Sequence, residues 1–188
     1  MAKFLNDFLK DPRYRSVRDV FLFIIITILI HICYKFWIHI HYYPIGGLYE
    51  RVIVLMENVV LRQTWWIIVN VLQNHATIRD NTIWLPNHWG IMIGDGCTGL
   101  KQIIQVLLLF LIYPGPWKHK AWFIPAGIII VHLTNIVRIV LLAIAMNLNL
   151  PNIHFIHDQI LRFFFYVVIF GMWLVWEEKF VRSDKVTK

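Results

Sequence analysis

Four runs of apolar residues, each close to the length that crosses a bilayer, leave this chain little choice but a membrane fold. They fall at about residues 20–40, 98–113, 121–147 and 156–178 of 188. Crossing ~30 Å of hydrocarbon takes about 20 apolar residues in a helix. The composition agrees, with 59% hydrophobic and only 15% charged residues. No repeat, low-complexity tract or Ser/Gly linker divides the chain. The expectation is an all-α polytopic helical bundle, a single integral membrane domain over residues 1–188.

The formal charge of +7 at first suggests a polyanion partner. The basic residues are not spread over a groove, however. Lys3, Lys10, Arg13, Arg15 and Arg18 precede the first run, Lys118 and Lys120 lie in "YPGPWKHK", and Lys179, Arg182, Lys185 and Lys188 close the chain. Such clustering is what cytoplasmic segments of a multi-pass protein carry. It argues for the lipid bilayer, and not nucleic acid, as the partner. Residues 1–19 then form a cytoplasmic basic head, both termini are cytoplasmic, and the site is a cell membrane. The first run lacks a small-residue cleavage pattern and reads as an uncleaved anchor. The loops around Cys97 and around "NLNLPNIHFIHD" fall on the extracytoplasmic side.

Residues 47–73 do not fit that parity, because a fifth crossing would reverse it. On a helical wheel Glu50, Arg51, Glu57, Asn58 and Arg62 share an arc of about 140° opposite Val52, Met56, Val59 and Val60. Val54 and Leu61 break the pattern. Charges at mid-span are costly, whereas an amphipathic helix in the outer interface keeps them wet and sets Trp65 and Trp66 at headgroup level. Two readings stand: an outer-interface helix, or a fifth span with its charges facing the bundle interior. Beyond it, "TIWL" and "GIMI" are short β-prone runs around a Pro-Asn-His-Trp turn, which predicts a small extracytoplasmic hairpin before Cys97.

Cys97 sits in "GDGCTGLKQ", where a hydrophobic helix begins. A thiol at a helix N-terminus is activated by the dipole and by unpaired amides, and Gly94, Gly96 and Gly99 leave room for another backbone to approach. A small residue at a tight turn explains the same cysteine without chemistry. Cys33 lies inside the first run, so the two cysteines form no disulfide framework. In "VHLTNIVRIVLL", Asn135 and Arg138 stand three residues apart on neighbouring helical positions. Arg138 is about 13 Å along the helix from residue 147, and a guanidinium at such depth requires a partner or a polar cavity. In "NIHFIHDQILRFFFY", His154 and His157 open the last run and Asp158 follows. Histidine is the usual general base near neutrality. Lys101 and Gln105, with Gln102 beside them, continue a polar stripe inward from Cys97.

Thiol, base and cation from three separate spans converge in the outer leaflet, a set that suits acyl transfer. The histidines lack the paired spacing of a zinc site, so no metal and no cofactor is expected. "CTGLKQ", then "NIVRI", then "IHD", each at the outer end of a hydrophobic segment, resembles the exosortase/archaeosortase family in its compact form, over about residues 75–175. That resemblance implies a membrane cysteine transpeptidase with its catalytic core in this region. Its substrates would be membrane-anchored proteins with a C-terminal sorting signal, and its acceptor a glycolipid or polymer of the envelope. It further implies Cys97 as nucleophile, Arg138 as oxyanion or substrate-orienting residue and His157 as acid/base. Asn135, Thr98, Lys101, Asp158 and His154 support them. Thr98 stands where the family usually has serine, and Lys101 where it often has arginine. Two other classes remain open on the residues alone: a non-enzymatic assembly or transport subunit, and a thiol acyltransferase that moves lipid.

Overall fold

The structure, a computed structural model, describes residues 14–182, and within them not the side chains of Arg15, His154, Ile156, Asp158 and Arg162. The expected helical membrane architecture is present. Helix α1 spans Arg15–His39. Helix α2 spans Gly46–Trp66 and runs on through a π-helical turn, Ile67–Val71. Three short strands follow, β1 Thr77–Arg79, β2 Thr82–Trp84 and β3 Gly90–Met92. A 3₁₀ turn, Asp95–Cys97, leads into α3, Leu100–Ile112, and then α4, Trp117–Asn147. The chain returns through a short turn α5, Ile153–Phe155, a π turn Ile156–Ile160, helix α6 Leu161–Trp176 and a final π turn Glu177–Arg182.

Among the described residues three helices are long and apolar enough to cross a membrane: Ser16–His39, Gly46–Val71 and Trp117–Asn147. Helix α3 has 13 residues and so rises only about 20 Å. Its far end is capped by a lysine instead of being prolonged. Lys120 is 4% exposed and donates from Nζ to the carbonyls of Leu111 (2.9 Å) and Tyr113 (2.8 Å). A cation among the last carbonyls of a helix satisfies groups that have no partner within the helix. Close by, α4 approaches α3 and α6 through Gly127: a Cβ there would stand 2.6 Å from the Met172 methyl and 3.2 Å from Val106 Cγ1. Small residues at such crossings let membrane helices pack backbone to backbone.

The apolar side chains gather in two main clusters. One fills the far end of the bundle between α1, α3, α4 and α6, around Phe23, Phe110, Phe123, Trp173 and Trp176. The other lies at the Cys97 end and joins α2, the sheet, α4 and the start of α6 through Val60, Ile83, Ile93, Ile139 and Leu161.

The predicted hairpin is there as the β2–β3 pair, with Ile83 opposite Ile91, and β1 adds a third antiparallel strand, with Ile78 opposite Ile83. Its tip is tied to the end of α4. Asn87 Nδ2 donates to the Met146 carbonyl at 2.9 Å, and Trp89 Nε1 donates to Asn149 Oδ1 at 3.2 Å.

Helix α2 keeps both of its ends at the Cys97 end of the bundle. At its start the Tyr49 hydroxyl shares a 2.7 Å hydrogen bond with that of Tyr34, one turn from the end of α1. Tyr49 and Ile53 also pack with Leu100 at the head of α3. Its exit, Ile68 to Asn74, lines a recess with Ala143 to Leu148 at the end of α4. It therefore runs obliquely across the Cys97 end of the bundle, and by length and hydropathy it is also one of the three candidate spans. Its buried face is Tyr49, Ile53, Val60, Leu61 and Thr64. Leu61, which broke the wheel pattern, belongs to that core, while Glu50, Arg51, Asn58 and Arg62 are exposed.

Candidate active site

The turn that carries Cys97 is fixed by its own backbone and by α4. The Cys97 amide donates to the Gly94 carbonyl at 2.8 Å. Thr98, 1% exposed, donates from Oγ1 to the Asp95 carbonyl at 2.8 Å and accepts the Leu100 amide at 3.2 Å. Its hydroxyl thus joins the turn to the first residue of α3, a role serine would fill equally. Gly99 has φ +75°, in the left-handed region, and a Cβ there would stand 3.1–3.2 Å from the carboxamide of Asn135. Glycine alone meets both demands without strain.

Asn135 is fully buried and donates from Nδ2 to the Cys97 carbonyl at 2.6 Å. One turn further along α4, Arg138, 6% exposed, donates from Nη2 to His157 Nε2 at 3.0 Å. Its guanidinium lies 5.9 Å over the ring of Phe165. Asn135 and Arg138 are thus a two-armed bracket on one face of α4, one arm holding the Cys97 backbone and the other the His157 ring. Cys97 is half-buried against the cluster that holds Ile136, Ile139 and Leu161, neighbours of both arms.

Two expectations change. Cys97 is not on the first turn of a helix: α3 begins at Leu100 with Gly99 as its cap, so the thiol precedes it on a separate 3₁₀ turn. The reason is the left-handed Gly99, which breaks the helical path between Cys97 and Leu100. The polar stripe also divides: Lys101 and Gln102 line a recess with Asp95 and Gly96 of the Cys97 turn, whereas Gln105 does not. The Lys101 ammonium stands 5.6 Å over the Tyr34 ring, toward α1, and Gln105 lines a groove between α1 and α6. The backbones of His154 and Asp158 lie in α5 and the π turn, while their side chains fall outside the described residues.

A guanidinium only donates, so His157 Nε2 is the acceptor in this contact. Among the described residues the Cys97 thiol makes no hydrogen bond. Phe165 was not singled out from the sequence. It follows His157 by eight residues, more than two α-helical turns, and shares its face because one of the two turns is π-helical and holds an extra residue.

The family model for transmembrane exosortases (Exosortase_EpsH) matches residues 18–176. The chain belongs to the transmembrane exosortase family. That match takes in every helix of the bundle and the whole bracket on α4. No curated protein and no solved structure matches the chain.

Proposed function

We propose that this exosortase is a membrane-embedded cysteine transpeptidase acting on proteins held in the bilayer by a C-terminal sorting signal. Cys97 is its nucleophile, His157 its acid/base and Arg138 its oxyanion ligand. The Cys97 end faces the extracytoplasmic side, since Lys120 and Arg182 both lie at the opposite end and positive residues mark the cytoplasmic one. The observation that carries the reading is the bracket on α4. Asn135 and Arg138, one turn apart, hold the nucleophile's backbone and the base's ring against one helix face.

Arrival of a substrate carbonyl gives Arg138 a new acceptor, and His157 Nε2 is then free to take the Cys97 proton. The thiolate attacks the carbonyl carbon, a C–S bond forms, and the carbonyl electron pair moves onto oxygen beside the guanidinium. Collapse breaks the C–N bond, and His157 returns its proton to the departing amine. A thioester on Cys97 remains. An amine of an envelope glycolipid or polymer, or water, then attacks it and frees the thiol. Each arm of the bracket serves one half of this cycle: Asn135 keeps the attacking turn in place, and Arg138 exchanges imidazole for oxyanion.

The test is mass spectrometry of Cys97 in cells deprived of an amine acceptor. A peptidyl thioester is expected on the wild-type sulfur, and Cys97→Ala should abolish processing while the protein still inserts. A fatty acyl adduct, or full processing by Cys97→Ala, would falsify the assignment.

A further inference from the structure

Helices α1 and α6 enclose a groove of about 350 Å³ whose floor is α3. One end is shut. Phe23 stands 5.7 Å from Phe170 and 4.7 Å from Trp173, and Arg182 Nη2 donates to Ser16 Oγ at 3.0 Å. Beyond those contacts the groove lies between Thr27 and Ile30 on α1 and Phe163 and Tyr166 on α6. A side recess continues it along α1 past Ile28 to His31, toward the Cys97 end.

The walls are nearly all hydrocarbon, as befits a surface turned to lipid. The exceptions are the hydroxyls of Thr27 and Tyr166 and, most buried of the three, the carboxamide of Gln105. Gln105 is 8% exposed, it lines both the groove and the recess, and its carboxamide has no hydrogen-bond partner among the described residues. The Thr27 hydroxyl donates to the Phe23 carbonyl at 2.8 Å. A carboxamide brings two donors and an acceptor oxygen, and leaving them unmet in hydrocarbon is costly. The groove's occupant must therefore be apolar along its length and polar at one level. A lipid chain meets the first condition only. A transmembrane helix with one polar side chain, or a backbone carbonyl bared by a small residue, meets both.

We propose that this groove seats the transmembrane helix of the protein substrate, and that Gln105 pairs with a polar group on it. Gln105 lies five residues into α3 from Leu100, a rise of about 7.5 Å. The paired group then lies about five residues into the substrate helix from the level of Leu100. The identity of the occupant as a substrate rests on the transpeptidase reading. The seating itself does not, and it is tested without cleavage.

The full-length protein is reconstituted in nanodiscs with p-benzoylphenylalanine at Phe163, an exposed position on the groove wall. The probes are Lys-flanked Leu/Ala peptides of about 20 residues, either wholly apolar or with one Asn moved along the helix. None carries a scissile motif. The Asn peptide is expected to cross-link about three- to fifteenfold better than the apolar one. The preference should peak with Asn near the fifth position in from the level of Leu100. Gln105→Leu should erase it, and Cys97→Ala should leave it unchanged. Equal cross-linking of all peptides, a preference that survives Gln105→Leu, or a photoreactive phospholipid that no peptide displaces would overturn the proposal. With the seating confirmed and no thioester ever found on Cys97, the groove stands and the transpeptidase reading falls.

Discussion

On the proposed mechanism Arg138 meets two demands in succession, and its chemistry explains why lysine would be a poor substitute. In the structure one guanidinium nitrogen holds His157 Nε2 at 3.0 Å while the plane lies over Phe165. A planar fork of five N–H groups can pass from ring to oxyanion while still stacked; an ammonium is a point charge with neither property. Arg138→Lys is expected to lower processing by about 10²–10³-fold, the usual loss of one oxyanion donor, with the protein level unchanged on immunoblot. Normal turnover in Arg138→Lys would contradict the role. At this scale the sequence marked which polar residues stand at the ends of apolar runs but not what they touch. An arginine and an asparagine three apart deep in a hydrophobic run had to face polar company. That Asn135 grips the Cys97 backbone depends on Gly99 standing at φ +75°, which a glycine permits but does not announce.

The elements were legible wherever hydrophobicity alone decides. Apolar runs at 20–40, 98–113, 121–147 and 156–178 became α1, α3, α4 and α6. The alternating residues of "TIWL" and "GIMI" became paired strands. Three features were not legible, for physical reasons. The π turn at Ile156–Ile160 adds one residue per turn and leaves no compositional trace. Strand β1 has three exposed residues, so no hydrophobic pattern marks it. The parting of Gln105 from Lys101, which lines a recess beside the Cys97 turn, depends on how α1 and α6 pack against α3. Lysine 120 shows how a charge that looks like a topology marker becomes a structural part. It closes α3 through the Leu111 and Tyr113 carbonyls. Lys120→Met removes two charge-assisted bonds and strands their acceptors. It should destabilise the protein by about 2–3 kcal/mol, read as a lower thermal midpoint in detergent, and an unchanged midpoint would contradict the cap.

For the whole molecule, the account sets the two ends of the bundle on opposite sides of a membrane. The Cys97 end bears α2, the sheet and the bracket, and the far end bears Lys120, Glu177 and Arg182. On the proposed topology helix α2 begins and ends on one side of the membrane, which keeps the parity that the clustering of basic residues suggests. Cysteines placed at Ala76 and at Lys118, in Cys33→Ser protein, should react with impermeant reagents from opposite faces of the membrane. Reaction of both from one face would reverse the topology. The proposed chemistry is narrower than any fold: it needs the sulfur of Cys97 and the ring of His157, which come from two different elements, to share a single pocket with Arg138. The direct test introduces His157→Cys in the Cys33→Ser background and treats membranes with a short bis-methanethiosulfonate linker. Mass spectrometry should then recover one peptide pair joined through residues 97 and 157. If both thiols react singly with a monofunctional reagent and no joined pair forms, the two groups do not meet, and the account is wrong.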